Sequence, residues 1–536
     1  MSHLASSTLT ESPVALMPRS NPRFSNFDFI EERFPEAGSA HSIHKLFSIS
    51  RCHGSQTLLI EQVPAVRAVA EENEDLATLD PNFQHLELVR LSFWKPSFTG
   101  HLPASLRDRD CVGYALLKKD RLSRRNKTGW ADEWHVYEAV FRTYPHRHTY
   151  AKACASMEFA AAGRRFAICG CLYAQQNGVS KTCAQVAIRS LATAYLKTND
   201  ISYRTINRLA AGKSRRFNPG KGMRPYQIGR VLKGMGINHR LVEYKDGSTQ
   251  QQTPSDPEYG PLERYPCEKL LYAGVEGGCG ALMSFKPTAP DAPQRELHMI
   301  PFFGHTFNED SWVPNAEKAY FRIGNRISYV PSLAWLSHFL VHDDNFGANF
   351  CVPRKFISRT DVRYVCELLP LDWAYSGADA ESIAAFLFCS IISKLPDSAD
   401  IPWVRRLKRY YKDKARVILR HVPVTTEQYL ANLKAGRDWD GRREASATIK
   451  VCAELLPAGC QLWMVEISVP EVFPTNKRKL GEILLDASRP INLEHDSNFV
   501  LGRLPGSFIF WDSLDNDNSD RFSFVPSRIL SHTPLC

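Results

Sequence analysis

Single hydrophobic cores stop growing at about 250–300 residues, and this chain has 536. It must therefore divide, and roughly three folding units are expected at the usual domain size. No stretch is apolar for long enough to cross a membrane as a helix: the longest, around Ala384–Ile392, covers about half of the ~20 residues a bilayer requires. Hydrophobic residues at 43% and charged residues at 23% belong to a chain that packs ordinary cores. That composition excludes collagen-like, coiled-coil and wholly disordered classes.

The first 45 residues are rich in Ser, Pro and Asn and bury too little apolar area to offset ordering, so a flexible tail is expected there. They lack the basic start and continuous apolar block of a secretory signal, which points to a cytoplasmic protein. The 14 cysteines follow no dense spacing framework and read as reduced, mostly buried thiols. Cys169 and Cys171 form a C-x-C pair, but no zinc-type spacing accompanies it, and neither a metal nor a cofactor is expected. The net charge of +10 is spread over a large surface and by itself specifies no partner.

Strand-like runs at Leu86–Trp94, Cys111–Leu117 and Trp134–Thr143 make residues 46–149 a mostly-β accessory domain. Residues 150–355 change character. They hold a run Phe166–Tyr173, a helix over Cys183–Leu196 and β-like runs from Ala281 onward, with a polar connector at Asp246–Pro261. Residues 356–536 read as an α/β accessory domain, with helical patterns to Leu419 and then strands at Gln461–Val469 and Ser507–Trp511. The fold class expected is α+β, and no internal repeat is present.

The chemistry concentrates in three strings. In the first, Gln175 and Gln176 precede Ser180, Thr182 and Cys183. Ser180 or Thr182 can cap a helix that opens at Cys183, where unpaired backbone N–H groups favour a thiolate. An upstream glutamine amide can meet the oxygen that turns negative when a carbonyl is attacked. In the second, Gly280–Pro287 reads as a strand, followed by a Pro-rich loop and a returning strand that starts at His298. In the third, a strand beginning near Ser337 closes on the paired acids Asp343 and Asp344. An acid beside an imidazole fixes its tautomer and stabilises its protonated form. His305 and His338 also lie on β-like runs and are alternative bases.

The order Gln, Cys, His, Asp over residues 165–355 resembles the papain-like cysteine peptidases, most closely the group similar to the bacterial double-glycine-leader peptidases. The resemblance implies an α+β papain-like domain with a helical half and an antiparallel β half. It further implies Gln176 as oxyanion donor, with Gln175 as the alternative, Cys183 as nucleophile, His298 as base and Asp343 as orienting acid. Departures are visible: the Gln176-to-Cys183 interval is one residue longer than the family spacing, and Ala184 stands where a glycine is common. The stretch from His298 to Asp343 is long, and it leaves Asn308 or Asp310 as other orienting groups. The activity implied is hydrolysis of a peptide or isopeptide bond in a protein or peptide substrate. A cysteine-dependent acyltransferase and an inactive binding module are the alternatives.

Two basic segments raise a rival class. Residues 204–245 carry eleven Lys and Arg against one acid, Glu243, with Phe217, Tyr226 and Tyr244 between them. Residues 404–420 repeat the pattern with Arg405, Arg406, Lys408, Arg409, Lys412 and Lys414 beside Tyr410 and Tyr411. Such segments can track phosphates and stack on bases, binding nucleic acid or another acidic partner. They are also what the solvated faces of amphipathic helices look like.

Overall fold

The computed structural model describes residues 12–15, 34, 40–98, 101–123, 129–143, 149–180, 182–198, 201–214, 217–218, 221–244, 265–287, 297–307, 317–318, 327–395, 401–412, 417–473, 478–491, 498–511 and 522–532. The Asp246–Pro261 connector, Asn308 and Asp310 lie outside them, as does most of the stretch before Ala40.

The chain packs as two units, each assembled from separated stretches. The first takes Met1–Leu241, Leu282–Gly304 and Leu340–Val352; the second takes Val242–Ala281, His305–Phe339 and Pro353–Cys536. Described helices and mainly antiparallel sheets make it an α+β chain.

From the N-terminus the elements run β1 (Ser12–Ala15), α1 (Ala40–Cys52), β2 (Thr57–Gln62), α2 (Arg67–Leu79), β3 (Gln84–Trp94), β4 (Cys111–Ser123) and β5 (Trp130–Phe141). There follow β6 (Thr149–Tyr150), β7 (Ala155–Ala161), β8 (Arg164–Gly170), β9 (Leu172–Tyr173), α3 (Cys183–Leu196), α4 (Tyr203–Ala211), α5 (Pro225–Gly234) and β10 (His239–Glu243). A six-stranded sheet in the order β1-β2-β3-β4-β5-β9 is the frame of the first unit. Its last strand comes from beyond residue 149. On one face Ile43, Leu46 and Phe47 of α1 pack with Val89, Leu91 and Phe93 of β3. On the other, Leu59, Trp94 and Tyr114 meet Met157, Phe159, Phe166 and Ile168 of the β7–β8 hairpin. That hairpin alternates buried and exposed residues along β7, as a half-covered strand must. Its two-residue turn puts Ala162 and Gly163 at φ 48° and 70°, the left-handed geometry that matches strand twist.

Further along come α6 (Cys267–Glu276), β11 (Ala281–Lys286), β12 (His298–Phe307), β13 (Glu317–Lys318), β14 (Ser328–Pro331), β15 (Leu336–Asp343), β16 (Gly347–Pro353), α7 (Arg354–Ile357) and β17 (Asp361–Leu368). In the first unit a second sheet runs β11-β12-β15-β16, and β6 pairs with β12. It presents the start of β12 and the end of β15.

The rest of the chain forms α8 (Gly377–Lys394), α9 (Pro402–Lys412), β18 (Ile418–Thr425), α10 (Thr426–Ala435), α11 (Ser446–Leu455) and β19 (Gln461–Ser468). The last strands are β20 (Gly481–Asp486), β21 (Phe499–Leu504), β22 (Ser507–Trp511) and β23 (Phe522–Pro526). In the second unit an eight-stranded sheet, β13-β14-β18-β19-β20-β21-β22-β23, packs Leu419, Trp463 and Ile483 against Ile383, Leu387 and Ile391 of α8. The α/β expectation for the C-terminal part holds only as a mixture of helices and strands. Among the described residues of this sheet, every pairing from β18 to β23 is antiparallel, as is β13 with β14, while β14 and β18 run parallel. Helix α8 is capped by Ser376, whose hydroxyl accepts from the Ala378 N–H while Asp379 accepts from the Ser376 N–H, a reciprocal N-terminal cap.

Candidate active site

The loop before Cys183 is anchored to β5 and to α2 and is braced by its own Asn177. Gln175 copies a strand residue: its N–H donates to the Val136 carbonyl at 2.8 Å, and its Oε1 accepts from the Val136 N–H at 3.0 Å. Gln175 is thereby committed to β5. Asn177 donates to Glu72 at 3.0 Å and accepts from both the Ser180 N–H and the Ser180 hydroxyl. Glu72 is ion-paired to buried Lys118, which also pairs with Asp120 at 2.9 Å. Burial alone would lower the Lys118 pKa, but the charges of Glu72 and Asp120 overcome it and raise it, so the ammonium stays charged.

Helix α3 then starts at Cys183, and its first turns bury Val186, Ala187, Ile188 and Leu191. Arg189 is buried too, satisfied by the Tyr137 and Ile201 carbonyls and by Glu138 at 2.6 Å. The expected side-chain cap is not made. Thr182 occupies the N-cap position without a cap hydrogen bond, and the Ser180 hydroxyl turns to Asn177 instead. The first N–H groups of the helix are therefore not consumed by a Ser or Thr cap, which leaves partial positive charge beside the sulfur.

His298 opens β12, and its backbone neighbour supplies the Leu297 carbonyl, to which the Cys183 thiol donates at 3.9 Å. The imidazole stands edge-on to the Phe285 ring, 5.5 Å between centroids. Its Nε2 lies 3.3 Å from Asp343 Oδ2 and 3.4 Å from Asp344 Oδ1. Burial would lower the ring's pKa. Hydrogen bonds with Asp343 and with Cys183, together with the charges of Asp344 and Asp343, win and raise it well above the ordinary imidazole range. With Nε2 facing the acids, Nδ1 is the nitrogen left for the sulfur.

The two acids differ. Asp343 ends β15; burial pushes its carboxyl up, but the His298 ring and the N–H groups of Asn345 and Phe346 pull it below the usual range. Asp344 is only 4% exposed. Burial and the Asp343 charge lift it to about 6, against the pull of His298 and of the Gln176 amide beside it. The Gln176 amide pulls on Asp344 as a hydrogen-bond donor does, yet neither Asp344 oxygen has a hydrogen-bond partner of full geometry.

Gln176, Cys183, His298 and Asp343 thus all lie in the first unit. Asp344 joins them, although the orienting groups expected from the sequence are Asp343 and, as alternatives, Asn308 and Asp310. The signal was the acid pair itself. Neighbouring side chains on a strand point to opposite faces, but β15 stops at Asp343 and the chain turns at once, so both carboxylates reach one ring. His342 shows the alternation intact: its ring bonds the Cys171 carbonyl and the Asn349 N–H. Burial drops its pKa to about 3, so it stays neutral. His305 and His338 belong to the second unit, where His305 is buried against Glu276 at 2.6 Å.

Thirteen cysteines are free thiols, and Cys536 lies outside the described residues. Burial raises Cys111, Cys154, Cys267 and Cys279 to about 12. Such thiols are inert at neutral pH. Among the described residues one group of three can hold a metal ion, formed by His298, Asp343 and Asp344 with ligand atoms within 4.8 Å of one another. It does not include the Cys169–Cys171 pair.

The basic segments are partly spent inside their own units. Arg204 pairs with Asp75 at 2.6 Å and Glu74 at 3.0 Å, and Arg230 donates to the Ala210 carbonyl. In α9, Val404, Leu407 and Tyr410 are buried, Arg406 pairs with Glu471, and Lys408 donates to the Leu395 carbonyl. Arg420 is buried between Glu276 and Glu466. No described helix is long and apolar enough to cross a membrane. No family model, no curated protein and no solved structure matches the chain. Function is therefore read from the site itself.

Proposed function

We propose that the first unit is a cysteine peptidase of papain-like layout, with α3 on its helical side and the β11-β12-β15-β16 sheet on the other. The observation that carries this reading is that the Cys183 thiol meets the entrance of β12, 3.9 Å from the Leu297 carbonyl, while Asp343 holds Nε2 of the next residue, His298, at 3.3 Å. His298 takes the Cys183 proton, and the sulfur attacks the carbonyl carbon of a peptide or isopeptide bond. The oxyanion meets the Cys183 backbone N–H and one of the two amide N–H bonds of Gln176, the other facing Asp344. The C–N bond breaks as the imidazolium gives its proton to the departing amine. Water, deprotonated by His298, then cleaves the thioester and releases the carboxylate product.

Incubating the full chain with a defined peptide pool, and reading new termini by mass spectrometry, tests the proposal. Cleavage is expected with the wild type and is expected to fall by about 10³-fold or more in Cys183→Ala. Equal cleavage by both proteins would refute it.

A further inference from the structure

The distances around His298 are long for what they join. Charge-assisted N–H···O bonds settle at about 2.7–2.9 Å, yet the two carboxylates stand 3.3 and 3.4 Å from the same nitrogen. Those separations match the edge of a tetrahedron around zinc, about 3.4 Å for bonds of about 2.1 Å. A second observation is independent of the spacing: Asp344 is more than nine-tenths buried, faces His298, and has no hydrogen bond of full geometry on either oxygen. One imidazole faces both carboxylates, so even a fully charged ring leaves a net negative charge in the buried site, which a divalent cation would offset. One imidazole and two carboxylates are a donor set suited to a divalent first-row ion, with the fourth position left to water.

We propose that His298, Asp343 and Asp344 bind a divalent transition ion, zinc being the best fit, and that the bound ion silences Cys183. The second half rests on the peptidase reading; the first does not. Coordination at Nε2 requires the neutral ring, so binding displaces the imidazolium proton to solvent. A neutral ring whose Nε2 lone pair is given to the metal carries its one proton on Nδ1 and has no lone pair left there to take the Cys183 proton, so the nucleophile is no longer activated. The ion thus acts as a reversible inhibitor seated behind the imidazole.

Cobalt(II) titration of metal-free full-length protein tests this, because its spectrum separates thiolate from nitrogen and oxygen ligands. One equivalent is expected to bind to wild type and to Cys183→Ala alike, with visible d–d absorption and no thiolate charge-transfer band. Asp344→Asn is expected to weaken binding at least tenfold. X-ray absorption on the wild type gives the same ligand set should that variant misfold. Loss of binding in Cys183→Ala, unchanged affinity in folded Asp344→Asn, or sulfur in the coordination sphere would each overturn the site. Cobalt-loaded protein should alkylate at Cys183 at least tenfold more slowly than metal-free protein, and an equal rate would overturn the silencing. If alkylation of Cys183 in metal-free protein ignores His298, the peptidase reading fails while the metal result stands.

Discussion

Replacing Asp343 with asparagine removes the strongest contact that keeps the His298 ring charged. The sign follows from the raised folded pKa: the imidazolium contributes stability that is complete below the unfolded value near 6.5 and fades as pH rises through the higher folded value. Asp343→Asn should therefore move the ring titration downward, which NMR of the His298 ring protons measures; an unmoved titration would deny Asp343 its role. At this scale much was legible. Cys183 was placed at a helix start and His298 at a strand entrance from turn and strand patterns alone, and both stand there. What could not be read was choice among similar groups. Gln175 and Gln176 are adjacent and identical, and only the pairing of Gln175 with Val136 separates them. Asp344 escaped because strand alternation argues it away from the ring, and the end of β15 is set by tertiary packing.

Strands β20 and β21 place Glu482 directly opposite Arg503. The pair is bidentate at 2.6 and 2.7 Å, is essentially unexposed, and is joined by Lys479 and the Tyr429 hydroxyl. Burial would raise the Glu482 carboxyl, but Arg503 and Lys479 hold it far below the usual range. Its contribution is thus complete above the unfolded value of about 4.5 and is lost as pH falls toward the depressed folded value. Glu482→Gln leaves Arg503 buried and uncompensated, a loss of about 3–5 kcal/mol. Hydrogen exchange of β20 and β21 amides should show that loss at pH 7, with a smaller gap between variant and wild type under acid conditions; protection equal at pH 7 would contradict the account. Elements themselves were largely legible: α3 and β22 match the expected bounds and β3 starts two residues early, while β4 runs six residues past the expected end and β5 starts four residues before the expected start. Buried Lys118, Arg420 and Arg503 were not, because a charged residue inside a strand reads as an exposed position until its partner, distant in sequence, is known.

At the scale of the molecule, contiguous reading meets its limit. Each unit draws on three stretches, and β12 and β15 are each divided between the two, at Gly304/His305 and Phe339/Leu340. Composition and linkers mark boundaries only where the chain leaves a unit once. Here it returns, bringing Leu282–Gly304 and Leu340–Val352 back to the unit that holds Cys183. That return is what assembles the candidate site, and it makes the central claim open to one direct measurement. The rate of Cys183 alkylation, followed by peptide mapping across pH, compares wild type with His298→Ala. The account predicts that Cys183 outpaces the other cysteines in the wild type and slows at least tenfold at neutral pH without the imidazole; equal rates in the two proteins would contradict it.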